Sequence, residues 1–168
     1  MPVSGAEPVV SKHRQHMDSS ASWGVPAHVT VLSPFLPPEA VNDEALDLLS
    51  RTVASVDAFD CTFATTGWFG TDVLWLAPQS EEPLRRLTAA VWAAFPAYPP
   101  YGGAFSDVVP HLTVAECALG GFAALRDAEA EVRPSLPFSQ RLDHALLITG
   151  SQQPHSWRTL KRLDLGNG

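Results

Sequence analysis

Ala27-His28-Val29-Thr30-Val31-Leu32 and His111-Leu112-Thr113-Val114-Ala115 are two runs of one pattern, His, hydrophobe, Thr, Val, set about half the chain apart. Both are short, β-branched and alternating, which predicts strands, and the first stops at Ser33-Pro34, where proline has no N–H to give a ladder. Side chains alternate across a strand, so His28 and Thr30 share one face while Val29 and Val31 share the other. His111 and Thr113 divide from Leu112 and Val114 in the same way. Each run therefore turns its aliphatic side to a core and offers an imidazole and a hydroxyl to solvent or a ligand.

Working outward, Asn42 is placed to cap a helix in which Val41, Ala45, Leu48, Leu49 and Val53 recur near a 3.6 period. Phe59 to Phe69 and Val73 to Ala77 predict an antiparallel hairpin around Gly70-Thr71-Asp72. A second helix follows, with Ser80 as its expected N-cap, Pro83 in its first turn, and Leu84, Leu87, Val91 and Phe95 as its buried stripe before Pro96. The stretch from Pro96 to Pro110, with Pro99, Pro100, Gly102 and Gly103, reads as an irregular connector. Beyond the second run, Gly120-Gly121 precedes a helix with Phe122, Leu125, Ala128 and Val132 on one face, ended by Pro134 and Pro137. Phe138 to Thr149 and Trp157 to Leu165 predict a second long hairpin.

Each half thus reads strand, helix, hairpin, and a repeated order of elements with a repeated tetrad indicates internal duplication. A pseudo-two-fold axis would set the two tetrad strands side by side at a shared cleft. The expected fold class is α+β: bilobal, duplicated strand-helix-hairpin units with antiparallel sheets around a central groove. The expected organisation is a single domain over 1–168, with lobes of about 1–97 and 98–168 that can exchange strands.

Composition agrees with a folded domain and narrows its partners. A chain of 168 residues, 45% hydrophobic and 17% charged, is long enough to bury roughly 70% of its unfolded surface. Pro and Gly, at 15 and 11 residues, fall well below the roughly 25–30% of a low-complexity polymer. The formal charge of −7, from 18 acids against 11 bases, repels a phosphate backbone, which disfavours long nucleic acid as a partner. No apolar run is long enough for a membrane span, and Met1 to His16 lacks the order of a secretory signal, so the expectation is a cytoplasmic protein with no membrane partner. Cys61 and Cys117 have no CxxC spacing and read as small core residues. A monomer is expected.

Two imidazoles beside one cleft suit a reaction that needs a general base and a general acid together near neutral pH. Phosphodiester cleavage is such a reaction. One neutral His takes a proton from the attacking water, one protonated His gives a proton to the leaving oxygen, and two hydroxyls hold the non-bridging oxygens as charge gathers there. This chemistry calls for no cofactor and no metal. His28, His111, His144 and His155 also lack a short ligand spacing, and zinc has no use for Thr at i+2.

The sequence resembles the two-histidine (2H) phosphoesterase superfamily, which includes RNA 2′,3′-cyclic phosphodiesterases and 2′-5′ RNA ligases. The resemblance rests on both tetrads, on the run Gly24-Val25-Pro26-Ala27 before the first, on Leu76-Ala77-Pro78, on Tyr101-Gly102-Gly103, and on Val109-Pro110 before the second. It implies catalytic His28 and His111, phosphate-binding Thr30 and Thr113, and a bilobal α+β fold with the tetrads in a central groove. It implies, too, a metal-independent phosphodiesterase acting on 2′,3′-cyclic phosphates or related small nucleotide phosphodiesters, RNA ends included, with His111 as base and His28 as acid. Two departures stand out: Glu116 occupies a place where many RNA-processing members have a basic residue, and Met1 to Ser4 is short for the family's N-terminal strand.

Other residues carry weaker signals. Phe35, Trp68, Trp75 and Tyr101 are aromatic candidates for stacking on a base, with core packing the preferred reading for Trp75 and Trp157. Gly102 and Gly103 allow close approach of backbone to a ligand, and Tyr101 could form a lid or lie in an ordinary turn. The substrate-binding candidates are therefore Phe35, Trp68, Tyr101 and Gly102. Arg141, Arg158, Lys161 and Arg162 read either as a counter-charge for a terminal phosphate or as solvated surface. His13 and His16 are expected to be solvated, and His144, beside Asp143, to be structural. Two further functional classes fit the same tetrads: a non-catalytic nucleotide- or phosphate-binding protein, and a phosphodiesterase for a metabolite outside RNA pathways.

Overall fold

The computed structural model describes residues 1–167. Its longest ladder begins with β1 (Phe59–Phe69) and β2 (Val73–Pro78), paired as the expected hairpin around Gly70, whose φ of 57° suits a tight turn. β2 also pairs with β3 (Leu112–Glu116), and β1 with β4 (Phe138–Leu142), giving an antiparallel sheet ordered β3-β2-β1-β4. The sheet therefore draws two strands from each half of the chain. A second sheet holds β5 (His144–Thr149) and β6 (Arg158–Asp164).

One face of the larger sheet is covered by α1 (Glu7–Met17) and α5 (Cys117–Val132). Leu74, Leu76, Leu112, Val114 and Leu125 are fully buried there. Removing such a side chain typically costs about 2–5 kcal/mol, because the cavity adds to the lost transfer energy. α3 (Asp43–Ala54) and α4 (Glu82–Ala94) pack on each other, and α3 packs on β6. Asn42 caps α3 as expected, its side chain accepting from the Ala45 N–H at 2.9 Å.

Several expectations are corrected. Ala27–Leu32 is no ladder strand: it bends at Ala27 and Val31 and makes one bridge, Pro2 to His28. Met1–Val3 is bonded to it by Val3 N to Ala27 O, Val29 N to Met1 O and the Met1 amino group to Val29 O. Its later carbonyls are taken elsewhere, Val31 O by the Thr88 hydroxyl of α4 and Ser33 O by the Tyr101 N–H. The two tetrad segments are accordingly not hydrogen-bonded neighbours, since β3 lies at a sheet edge against β2. The predicted run Phe138 to Thr149 breaks at Asp143 and serves both sheets, so the second hairpin is β5 with β6 alone.

Ser80 does not cap α4; Glu81 holds that position without a side-chain cap bond. The helical run after β3 starts at Cys117 and kinks at Gly121, whose φ of 77° and ψ of 158° are not helical. Phe122, expected to be buried, is exposed and meets the Trp68 ring at 5.7 Å.

The sequence pattern does not reveal α1, because beside Val10 its buried residues are the polar His13 and Arg14. His13 is buried rather than solvated, 3.5 Å from Glu131, while His16 is exposed. Arg14, 3% exposed, donates from Nε to Asp18 at 2.7 Å and from Nη2 to Val25 O and the Ser20 hydroxyl, both at 3.2 Å. A helix whose buried stripe mixes one valine with a histidine and a paired arginine shows little apolar periodicity. Asp18 also caps α2 (Ser19–Ser22), accepting from Ser20 N at 2.9 Å. Among the described residues no helix is long and apolar enough to cross a membrane.

Candidate functional site

The first half-site starts from the Arg14 and Asp18 pair, which ties down the chain from Ser20 to Val25 just ahead of the first tetrad. There Val29 is buried while His28 and Thr30 are only partly covered, the alternation expected of extended chain. His28 Nδ1 lies 2.8 Å from Pro26 O. A carbonyl can only accept, so Nδ1 carries the proton and Nε2 keeps its lone pair. Burial, with the Met1 amino group as a lesser cause, pulls the His28 pKa down to about 4.

The second half-site repeats this at the start of β3. His111 Nδ1 donates to Val109 O at 2.7 Å, again leaving Nε2 free, and burial lowers the His111 pKa. Leu112 and Val114 point into the core, and Thr113 stands opposite Trp75 on β2. Trp75 in turn stands opposite Gly67 on β1. Phe69, at the end of β1, meets the His111 ring edge-on at 4.8 Å. The second tetrad therefore rests on an aromatic surface, and Trp75 lies beside His111 and Thr113 rather than wholly within the core.

The sequence profile of the 2′-5′ RNA ligase superfamily matches residues 2–154. The chain belongs to that superfamily. No curated protein matches it. Among solved structures, TT0787 of Thermus thermophilus is similar at a TM-score of 0.64 and 18% identity, covering 98% of this chain and 94% of that one. LigT of E. coli in apo form is similar at a TM-score of 0.57 and 19% identity, covering 99% and 94%. LigT complexed with NADP+ gives 0.58 and 20%, with coverage of 99% and 94%. These likenesses show the shared α+β fold of this superfamily.

A cavity of about 400 Å³ opens beside the first tetrad of this 2′-5′ RNA ligase superfamily member, lined by His28, Thr30 and Phe35 together with residues of α3 and β5. His111, Thr113, Trp68, Tyr101 and Gly102 are not among its lining residues. Phe35 packs edge-on against Phe95 at 5.1 Å and Tyr98 at 5.8 Å, so much of its ring is committed to the fold. Trp157, read as core, stacks instead on Trp23 at 6.4 Å, and both line the cavity.

Tyr101 holds a φ of 52°, rare for a side chain larger than Asn, and is followed by Gly102 and Gly103 at 64° and 78°. Its N–H donates to Ser33 O at 2.7 Å, and its phenol reaches the Thr30 side chain. Burial raises the phenol pKa, against the opposing effect of Thr30. The loop is anchored farther on by Asp107, which takes two bonds from Arg85 of α4 at 2.6 and 3.3 Å.

Trp68 falls on the opposite face of β1 from Phe69. Its indole donates at 3.1 Å to Glu129 of α5, which also accepts from Thr66 at 2.7 Å and Arg133 at 3.1 Å. Burial acts to raise the Glu129 pKa, and the bonds from Thr66 and Trp68 with the charges of Arg133 and Arg126 outweigh it, so the group sits below its usual range. Glu116 accepts from the Ser19 N–H at 3.3 Å and hydroxyl at 3.2 Å, tying α2 to the end of β3.

The expected basic cluster is dispersed. Arg141 lies on β4 near Asp60, whereas Arg158, Lys161 and Arg162 lie on β6, where Arg162 pairs with Asp164 at 2.7 Å. His144 pairs with Asp143. Cys61 is buried and Cys117 half-buried, both free. Among the described residues no three of His, Cys, Asp or Glu gather closely enough to hold a metal ion.

Proposed function

We propose that this protein is a metal-independent phosphodiesterase that hydrolyses 2′,3′-cyclic phosphates or related small nucleotide phosphodiesters by two-histidine acid–base catalysis. The observation that carries this reading is the matched geometry of His28 and His111, each with Nδ1 bonded to the carbonyl two residues earlier and Nε2 left free. Such a bond fixes tautomer and ring direction, which a proton-transfer group requires. Membership of a superfamily named for RNA 2′-5′ ligation supports phosphoester chemistry, and LigT structures with NADP+ and with 3′-AMP support small nucleotide ligands. The chain's charge of −7 favours small substrates over long RNA.

In this mechanism His111, neutral because it is buried, takes a proton from water at Nε2 as the water attacks phosphorus. The phosphorus–oxygen bond to the leaving sugar oxygen breaks, and that oxygen takes its proton from His28. Thr30 and Thr113 donate to the non-bridging oxygens. His28, with a pKa of about 4 in the free protein, is charged for this step by the bound phosphodiester anion, which favours the imidazolium. Phe35, which lines the cavity beside the first tetrad, and Tyr101, which is bonded to Ser33 and Thr30, contact the rest of the substrate, with Gly102 holding the turn that carries Tyr101. Trp68, committed to Glu129, supports the sheet.

A screen of 2′,3′-cyclic mononucleotides against 2′-5′-linked dinucleotides, with product identification and a chelator arm, tests the reading. Turnover of a cyclic nucleotide in chelator is expected. Activity lost in chelator and restored by zinc would overturn the metal-independent mechanism, and tight nucleotide binding without turnover would make the protein a binding module.

A further inference from the structure

Trp75 occupies an unusual seat. Its indole lies flat over Gly67, where an added methyl would overlap ring atoms Cη2, Cζ2 and Cε2, so only glycine leaves room for it. Phe69 meets the indole at 5.0 Å with the planes tilted by 31°. Both rings contact His111, Phe69 edge-on at 89° and Trp75 at 6.0 Å and 59°. The imidazole thus stands in an aromatic corner while Val109 O holds its Nδ1 at 2.7 Å.

Trp75 Nε1 is buried without a hydrogen-bond partner, the only such side-chain nitrogen or oxygen among the described residues. An orphaned donor costs free energy that a phenylalanine would avoid. The position therefore uses the flat ring against Gly67 and His111 rather than its N–H. Among the described aromatic contacts none involves His28.

We propose that Trp75, seated on Gly67, is a positioning residue for His111: with Phe69 it fixes the tilt of the imidazole that the Val109 bond alone leaves free to swing, so that Nε2 stays aimed at the reacting water. The inference rests on the reading of His111 as an acid–base group.

The experiment compares wild type with Gly67→Ala, Trp75→Ala, Trp75→Phe and His111→Ala, measuring kcat and KM on 2′,3′-cyclic AMP and the His111 ring-proton NMR resonances. Gly67→Ala and Trp75→Ala are expected to lower kcat by about 10- to 100-fold, the scale of a small misplacement of a reacting group, with little change in KM. His111 resonances move in both, and Trp75→Phe, which keeps a ring in the corner, regains most of kcat. Unchanged kcat in Gly67→Ala and Trp75→Ala, with His111→Ala inactive, would overturn the positioning role while leaving the acid–base reading intact. Full activity of His111→Ala would overturn the acid–base reading itself, and His111 resonances unmoved in Gly67→Ala would overturn the positioning separately. Should Trp75→Ala fail to fold, Gly67→Ala alone decides by the same criteria.

Discussion

His28 and His111 make the same local bond, Nδ1 to the carbonyl of Pro26 at 2.8 Å and of Val109 at 2.7 Å. They lie in different surroundings, since His28 sits in a segment held by Met1–Val3 and His111 begins a ladder strand beside Trp75 and Phe69. Equal tautomers in unequal environments are what distinct acid and base roles require.

The roles separate on a substrate whose leaving group needs no proton. With a nitrophenyl phosphodiester, His28→Ala should lose far less activity than His111→Ala, because departure of nitrophenolate needs little general acid help. Equal losses with unchanged binding would refute the assignment, and the reverse order would exchange the two roles.

Thr30→Val and Thr113→Val remove a hydroxyl at nearly constant shape. Each should cost roughly 2–4 kcal/mol in transition-state binding, read from kcat/KM, if the hydroxyls hold phosphoryl oxygens. Thermal melts should stay close to wild type. An undiminished rate in a folded variant would reduce that threonine to a strand residue.

The His28 pKa of about 4 makes stability depend on pH. Between about 6.5, the usual value of a free histidine, and the folded value the unfolded chain binds the extra proton, so stability falls as pH drops through that window. Denaturant midpoints measured from pH 7 to pH 4 should decline, and His28→Gln should flatten the decline. A variant with the same slope as wild type would show that His28 is not the group responsible.

Arg14 and Asp18, 3% and 2% exposed in their side chains, form a pair whose rupture leaves one buried charge alone. Asp18→Ala should destabilise by about 3–5 kcal/mol. Because the pair also holds Val25 O and Ser20, the loss should loosen the approach to His28, visible as faster amide exchange across residues 20–28. A melt within error of wild type would show that the pair is dispensable.

Sequence patterning revealed α3, the β1–β2 hairpin and β3, since each has a regular apolar period and a clear stop. The tetrads were legible as a repeated pair. The α1 helix was not, because its inward face carries His13 and Arg14 beside a lone fully buried aliphatic, Val10. The break at Asp143 was not legible either: Phe138–Leu142 and His144–Thr149 are both β-prone, and only the partner strands β1 and β6 decide their sheets. Core packing is the preferred reading of the large Trp75 ring from sequence; the alternation that puts Thr113 outward, applied to β2 between the buried Leu74 and Leu76, places Trp75 on the face of Thr113. Glu116 gave no signal of its bond to Ser19, a contact between residues far apart in sequence.

The central claim is that two histidines hydrolyse a small nucleotide phosphodiester. The direct measurement is the steady-state rate on 2′,3′-cyclic mononucleotides in chelator for wild type, His28→Ala and His111→Ala, each checked for folding. Turnover by wild type with losses of about 10²- to 10⁴-fold in each variant is predicted, the usual scale of a general acid–base contribution. Full activity in either folded variant, or no turnover of any cyclic nucleotide or related small diester by wild type, would contradict it.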